Sequence, residues 1–165
     1  MHPSVLRFVQ GQVQLHELAE RSVLEVGSLN VNGSPRGFFS GPYKGVDMRA
    51  GPGVDEVVNA HDLSDQDGIP EGGWDVIVCT EMLEHDDVPW VSLREMHAVC
   101  QEDGYLLLTC RGYDRRGCFP VHAYPMDFWR FSCDGISALL SWAGWHPIFI
   151  QADPEAPGVF AVAEW

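Results

Sequence analysis

The chain has 165 residues and a formal net charge of −14, because ten lysine and arginine residues face 24 aspartate and glutamate residues. Apolar side chains make up 45% of it and charged side chains 21%, as in ordinary globular proteins, and we expect residues 1–165 to form a single domain. A chain this acidic repels phosphate backbones and anionic membrane surfaces, which argues against nucleic acid as a substrate and against a membrane-bound role.

Short apolar runs separated by glycine-containing turns fill the first half of the chain. We expect residues 16–20 to end a helix that leads into a first strand at residues 23–26. A second strand at residues 45–47 and a brief third strand at residues 56–58 follow. Residues 74–79 are strongly apolar apart from Asp75 and show no alternation, which is typical of a parallel strand buried on both faces.

The second half of the chain holds two helical patterns and three further strands. In chain order these are a helix at residues 89–102, a strand at 105–110, a helix at 134–144, and strands at 145–151 and 159–165. We expect Gly104 to end the first of these helices and Asp134 to cap the second. The joint between the last two strands is too short for a crossover helix, so they should form an antiparallel hairpin.

The alternation of strands and helices predicts an α/β fold. We expect a Rossmann-like, doubly wound, mostly parallel seven-stranded sheet with helices on both faces and a C-terminal antiparallel hairpin. In such sheets ligands bind outside the carboxyl ends of the strands, where the topology reverses. Gly27 follows the first strand and Asp47 ends the second, and an acidic side chain there can accept both hydrogen bonds of a ribose diol. These positions predict an adenosine-type cofactor.

The loop after the first strand indicates which kind of cofactor this is. It lacks the Gly-x-Gly-x-x-Gly turn and the clear helix start that a pyrophosphate requires, which disfavours a nicotinamide-dependent oxidoreductase. S-adenosylmethionine carries a sulfonium cation and no phosphate, so it suits an acidic chain better.

Four motifs in order resemble a known family. They are Glu25-x-Gly27, Asp47, Asn59-x-x-Asp62-Leu63, and the run from Asp75 to His85. Together they resemble the class I S-adenosylmethionine-dependent methyltransferases, in particular the small methyltransferase type 11 members, over about residues 15–165. The family has further glycines in the first loop, and Asn30 stands where one of them is expected.

The resemblance implies roles for the strand-end residues. The turn at Glu25 and Gly27 would wrap the methionine portion of S-adenosylmethionine, Asp47 would hold the ribose, and Asp62 with Leu63 would lie beside the adenine. The full set of expected cofactor-binding residues is Glu25, Gly27, Ser28, Asn30, Asp47, Met48, Asp62, Leu63, Thr80 and Glu81.

The aromatic segment at residues 120–132 follows the fifth strand and so emerges at the same sheet edge. Similar runs in the resembled family form part of the wall over the active site. The candidates for a general base are His122, His85 and Asp127, and those for substrate binding are Glu84, Tyr124, Trp129 and Arg130. The residues themselves leave a second interpretation open, in which Asp127 and Arg130 pair to staple the loop to the sheet.

The function that these features favour is methyl transfer to a small-molecule, sugar or peptide acceptor by in-line displacement. The alternative is a weak or inactive methyltransferase-fold domain that serves as a binding or assembly module. We expect a small-molecule or glycan partner, while exposed tryptophans such as Trp165 would permit an oligomer. An odd number of cysteines without a Cys-x-x-Cys pair, and no signal-peptide pattern, predict a cytoplasmic protein. We expect no metal site, including at His85 and its acidic neighbours.

Overall fold

A seven-stranded sheet organises the chain. The computed structural model describes residues 2–113 and 126–165, and the statements below concern these residues. The strands are β1 (Val23–Val26), β2 (Tyr43–Asp47), β3 (Glu56–Val57), β4 (Trp74–Thr80), β5 (Cys100–Arg111), β6 (His146–Ala152) and β7 (Gly158–Glu164). The helices are α1 (Pro3–Leu15), α2 (Pro89–Val99) and α3 (Cys133–Ala143). A short 3₁₀ helix at Pro35–Phe38 stands between β1 and β2, and another at Leu83–His85 follows β4.

The strand order is β3-β2-β1-β4-β5-β7-β6, with β1 to β5 parallel and β7 antiparallel to both β5 and β6. The chain runs outward from β1 to β3 and then returns to place β4 on the other side of β1. The topological switch point therefore lies between β1 and β4. This confirms the predicted doubly wound sheet and its C-terminal antiparallel hairpin.

Helices cover both faces of the sheet because the strands alternate their buried side chains. Leu106 and Leu108 of β5 belong to the core beneath α2 and α3, whereas Leu107 faces the core beneath α1. The same alternation separates Val76 from Ile77 in β4. Two cores of this kind explain why residues 76–79 of β4 and 106–108 of β5 are apolar at every position. Among the described helices, none has both the length and the apolar character needed to cross a membrane.

Several predicted element boundaries were wrong; the second strand, for example, begins at Tyr43 and not at residue 45. The helix before β1 is α1, which begins at Pro3 and ends at Leu15, whereas residues 16–20 form turns. The helix that starts at Pro89 ends at Val99, because Cys100 adopts extended backbone (φ −80°, ψ 141°) and pairs with Trp74 as the start of β5. Gly104 therefore lies within β5.

The cap of α3 also differs from the expectation. Ser132 precedes the helix, and its hydroxyl accepts a hydrogen bond from the Gly135 N–H, so Ser132 and not Asp134 is the N-cap. Gly144 follows the helix with φ 103°, a conformation that glycine adopts without strain.

A close approach of two backbones fixes the end of β2. A Cβ atom on Gly45 would lie 2.4 Å from the Gly53 carbonyl oxygen and 2.8 Å from the Ser28 hydroxyl oxygen. The Gly45 N–H donates to the Asp55 carboxylate at 2.7 Å, and the Gly45 carbonyl accepts from the Asp55 N–H at 2.8 Å. The turn at Gly53 is thus held against β2, directly before Asp47.

Gly45→Ala is expected to lower the free energy of unfolding by about 1–3 kcal/mol, because the new methyl group overlaps a carbonyl that cannot move independently. Gly11→Ala is the control, since a Cβ there meets nothing within 4 Å and Gly11 lies inside α1. This control should gain about 0.5–1 kcal/mol from the higher helix propensity of alanine. Urea denaturation measures both values, and equal changes in the two variants would contradict the close approach.

Candidate active site

A cavity of about 810 Å³ opens at the carboxyl ends of β1, β2 and β4, at the topological switch point. Its volume is in the range of small-molecule and cofactor sites. The first residues of α1 and the segment around Phe128 also border it. Among its lining residues, those at the ends of the first four strands or just after them include Gly27, Ser28, Asp47, Asn59, Ala60 and Thr80.

Gly27 brings the backbone into direct contact with neighbouring elements. Its φ is 82°, and a Cβ atom there would lie 2.7 Å from the Met82 side chain. The N–H groups of Gly27 and Ser28 both donate to the Val46 carbonyl, at 2.9 Å and 3.0 Å. The loop after β1 is therefore held flat against the end of β2, and only glycine fits at its start.

Two hydroxyl groups at the cavity lack partners in the described part of the chain. The side-chain oxygens of Ser28 and Thr80 are buried and make no hydrogen bond there. Both residues line the cavity. Because a buried hydroxyl without a partner is costly, these two groups are suited to contact a polar ligand.

The Asp47 carboxylate is oriented by the backbone around it. One of its oxygens accepts from the Leu29 N–H at 3.2 Å and the other from the Arg49 N–H at 2.9 Å. Each carboxylate oxygen has more than one acceptor site, so both can still accept from a ligand. Asp47 thus presents a fixed pair of acceptors to the cavity.

Glu25 is a buried carboxyl group at the cavity wall. Its side chain is only 2% exposed, and burial raises its pKa to about 7. The Tyr43 hydroxyl donates to it at 2.8 Å. Burial and the neighbouring Glu25 raise the pKa of Tyr43 as well, so the tyrosine stays protonated and remains a donor.

Glu81 follows β4 in a left-handed backbone conformation with φ 54°, which is unfavourable for a residue other than glycine. Its carboxylate accepts from the Thr109 hydroxyl at 3.2 Å and from the Arg111 guanidinium at 3.3 Å. Both partners belong to β5. The strained turn and these two bonds together aim the Glu81 carboxylate at the border of the cavity.

Glu84 forms backbone hydrogen bonds with the segment that begins at Met126. Its carbonyl accepts from the Phe128 N–H at 2.8 Å and the Trp129 N–H at 3.3 Å. Its side chain is fully buried, and burial together with the Glu81 carboxylate raises the pKa of Glu84 well above its ordinary range. Glu84 therefore acts on the cavity through the segment that it positions.

His85 lines the cavity beside this segment. Its Nδ1 lies 3.1 Å from the Met126 carbonyl oxygen. A carbonyl only accepts hydrogen bonds, so Nδ1 is the donor and carries a proton.

The structure brings together part of the predicted site. The predicted residues that line the cavity are Glu25, Gly27, Ser28, Asp47, Met48, Thr80, Glu81 and His85. Other predicted residues in the described part of the chain do not line it; these are Asn30, Asp62, Leu63, Glu84, Asp127, Trp129 and Arg130. His122 and Tyr124 lie outside the described residues.

The loop after β3 differs most from the expectation. Leu63 is fully buried in the core and Asp62 is exposed, so Asn59, Ala60 and His61 form the cavity wall in their place. The Asp62 N–H donates to the Asn59 carbonyl at 3.0 Å, which turns the chain away from the cavity. Sequence reasoning missed these wall residues, and their position directly after a strand was the available signal.

The residues after Met126 agree with the second interpretation of the aromatic segment. Asp127 and Arg130 form an ion pair three residues apart. Trp129 packs edge-on against Trp90, with ring centroids 6.2 Å apart. Asn30 is also engaged locally, because its side-chain oxygen accepts from the Gly33 N–H at 2.8 Å. These contacts order the rim around the cavity.

One group of potential metal ligands occurs at the cavity, formed by His61, Asp86 and Asp87, whose ligand atoms lie within 4.8 Å of one another. The His61 Nε2 is 2.7 Å from an Asp86 oxygen, and the same carboxylate accepts from the Val88 N–H and the Ser92 hydroxyl. A metal ion there would have to displace these hydrogen bonds.

No protein-family model and no curated protein matches this sequence. Solved structures match nearly its whole length. The 1,6-didemethyltoxoflavin-N1-methyltransferase of Burkholderia thailandensis, solved with its namesake compound and S-adenosylhomocysteine, superimposes with a TM-score of 0.75 at 18% identity. This match covers 97% of the present chain and 77% of that one.

Two further structures show the same arrangement. A methyltransferase from Aquifex aeolicus described as dependent on S-adenosylmethionine has a TM-score of 0.64 and 18% identity over 98% of this chain and 93% of its own. The trans-methyltransferase CalH, solved with S-adenosylhomocysteine, has a TM-score of 0.69 and 13% identity; the match covers 97% of this chain, which spans 57% of CalH. Likenesses at these identities concern the fold, and the chain has the fold of the class I S-adenosylmethionine-dependent methyltransferases.

Proposed function

We propose that the protein is an S-adenosylmethionine-dependent methyltransferase that acts on a small-molecule acceptor, with a sugar or a peptide group as further acceptor classes. The observation that carries this proposal is the cavity at the β1–β4 switch point, where Glu25, Asp47 and Glu81 converge. Class I methyltransferases with the same fold support it. When bound, S-adenosylmethionine supplies an electrophilic methyl group on a sulfonium sulfur.

The residues present fit this cofactor. Asp47 offers two oriented acceptors for a ribose diol, and Gly27 allows a ligand to approach the backbone. Glu25 can balance a cationic group once it ionises. The unpartnered hydroxyls of Ser28 and Thr80 supply further polar contacts. We assign the wall beside the adenine to the Asn59–His61 loop in place of Asp62 and Leu63.

The contribution of the chain to methyl transfer is chiefly positioning. Holding a nucleophile in line with a good leaving group accounts for several kcal/mol of a reaction barrier, about 7 or more in favourable cases. Acceptors that lose a proton need a base on the β4–β5 side of the cavity. We propose His85 for this role because it lines that side. His122 stays a candidate, whereas the ion pair with Arg130 makes Asp127 a weaker one.

Isothermal titration with S-adenosylhomocysteine tests the proposal. We expect saturable binding to the folded protein, and no binding at millimolar concentration would overturn the enzyme function. Binding without methyl transfer to any acceptor in a broad panel of small molecules, sugars and peptides would favour the alternative of a binding or assembly module.

Asp47→Ala is expected to weaken S-adenosylhomocysteine binding by about 10- to 100-fold, because the ribose loses its charged hydrogen-bond acceptor. Asp62→Ala is the matched control, since Asp62 is exposed and does not line the cavity. Titration calorimetry on both variants measures the difference. A control that loses as much affinity as Asp47→Ala would assign the ribose site elsewhere.

Glu25 should make cofactor binding depend on pH. Its pKa of about 7 in the free protein means that lowering the pH protonates it and removes a charge that would balance the ammonium group of the cofactor. The affinity for S-adenosylhomocysteine is expected to fall by about tenfold from about pH 8 to about pH 6. Glu25→Gln should bind weakly with a flat profile over the same range, and a variant that retains the wild-type slope would contradict this role.

A further inference from the structure

Arg111 is a buried cation whose Nε finds no hydrogen-bond acceptor among the described residues. It is the last residue of β5, lines the cavity and is 8% exposed. A guanidinium group has five N–H donors. In the described part of the chain one bond engages them, from Nη1 to Glu81 at 3.3 Å, and Nε is buried without a partner. The guanidinium can therefore donate hydrogen bonds to a second anion in addition to the Glu81 carboxylate.

Leaving such a group unsatisfied is costly. Buried charged donors are normally paired and hydrogen-bonded, since they lose their hydration without compensation otherwise. Among the described residues, the bond to Glu81 engages Nη1 and leaves the buried Nε without an acceptor. A ligand with two adjacent oxygens would accept two parallel N–H···O bonds from the edge of the guanidinium that carries Nε. Arginine binds carboxylates best in this arrangement.

The position of Arg111 assigns this ligand to the acceptor side. β5 lies beside β4 on the side away from β1, whereas Asp47 and the loop after β1 lie on the other side of β4. Met126 and Phe128, which are 39% and 52% exposed, line the same cavity, and the segment that carries them is bonded to Arg111 by the Phe131 N–H, which donates to the Arg111 carbonyl at 2.9 Å. A cavity lined by a cation and by apolar side chains fits a molecule with an acidic group and an apolar body.

The neighbouring carboxyl groups leave room for an anion. Glu81 pairs with Nη1, and Asp127 is paired with Arg130. Glu84 is fully buried, and its raised pKa keeps the carboxyl protonated at pH values where exposed glutamates are ionised. Its contact with Arg111 is a weak 3.4 Å bond from the backbone N–H, so it does not occupy the guanidinium.

We propose that Arg111 binds a carboxylate group of the methyl acceptor, whose apolar body lies against Met126 and Phe128. This inference rests on the proposed methyltransferase function and narrows its substrate class to carboxylic acids with an apolar or aromatic skeleton. Arg111 determines which acceptor binds.

The test uses the full chain saturated with S-adenosylhomocysteine. The probes are benzoate, phenylacetate and cinnamate, each compared with its neutral amide by titration calorimetry or ligand-observed NMR. At least one acid is expected to bind about tenfold or more tightly than its amide. Arg111→Gln should abolish this preference, and Arg111→Lys should keep part of it because the charge remains while the planar fork is lost.

Two controls separate specificity from folding and from cofactor binding. Arg94→Gln removes an exposed arginine that stacks on Trp142 away from the cavity, and it should keep the preference for acids. The affinity of both Arg111 variants for S-adenosylhomocysteine should stay within about twofold of the wild type. Circular dichroism and thermal unfolding confirm that they fold.

The outcomes that overturn the proposal are distinct. Equal or absent binding of all acids and amides to the cofactor-saturated wild type rejects it and leaves the proposed function intact. If Arg111→Gln weakens S-adenosylhomocysteine but not 5′-methylthioadenosine, which lacks the amino acid, Arg111 binds the carboxylate of the cofactor instead. Failure of the wild type to bind S-adenosylhomocysteine rejects the proposed function itself.

Discussion

The parallel pairing of β1 with β2 on one side and β4 on the other is the constraint on which the site depends. In this register Val26 lies opposite Val46 and Cys79. The next residues along the three strands, Gly27, Asp47 and Thr80, therefore reach the sheet edge at the same level. No side-chain contact between them is needed, because the backbone ladder alone brings a glycine turn, a carboxylate and a hydroxyl together.

The electrostatics of the cavity follow from this geometry. Strand ends supply acidic groups on both sides of the switch point, and one of them, Glu25, is buried enough to titrate near neutrality. Arg111 introduces positive charge at β5, on the far side of β4. The cavity thus has acidic groups at β1 and β2, which suit a cation, and a cationic group at the end of β5.

The sequence predicted the parts of the fold that depend on local patterns. Strongly apolar runs located the buried strands, and the alternation of elements predicted their order. The length of β5 was not predictable in this way, because its start at Cys100 depends on pairing with Trp74, which is a tertiary contact. The helix α1 had a signal in the spacing of Val5, Phe8 and Val9 after Pro3, yet its extent emerges only when that face packs on the sheet.

For the site, too, the sequence predicted the positions that local patterns determine and did not predict those that depend on tertiary contacts. Positions directly at strand ends, such as Asp47, reach the cavity because strand direction fixes them. Positions a few residues further on, such as Asp62, depend on how the loop turns, and a hydrogen bond to Asn59 turns it outward. Burial of Glu84 likewise comes from distant residues of β5 and from the segment at Phe128, which lie far from it along the chain.

The segment from Met126 to Phe131 is attached to the rest of the fold through its main chain. Main-chain groups hold it at three points: the N–H groups of Phe128 and Trp129 bind the Glu84 carbonyl, and that of Phe131 binds the Arg111 carbonyl at 2.9 Å. Hydrogen bonds from main-chain N–H groups do not depend on which side chains the segment carries. Substitutions there can change the side chains at the entrance of the cavity while the backbone that holds the segment stays in place.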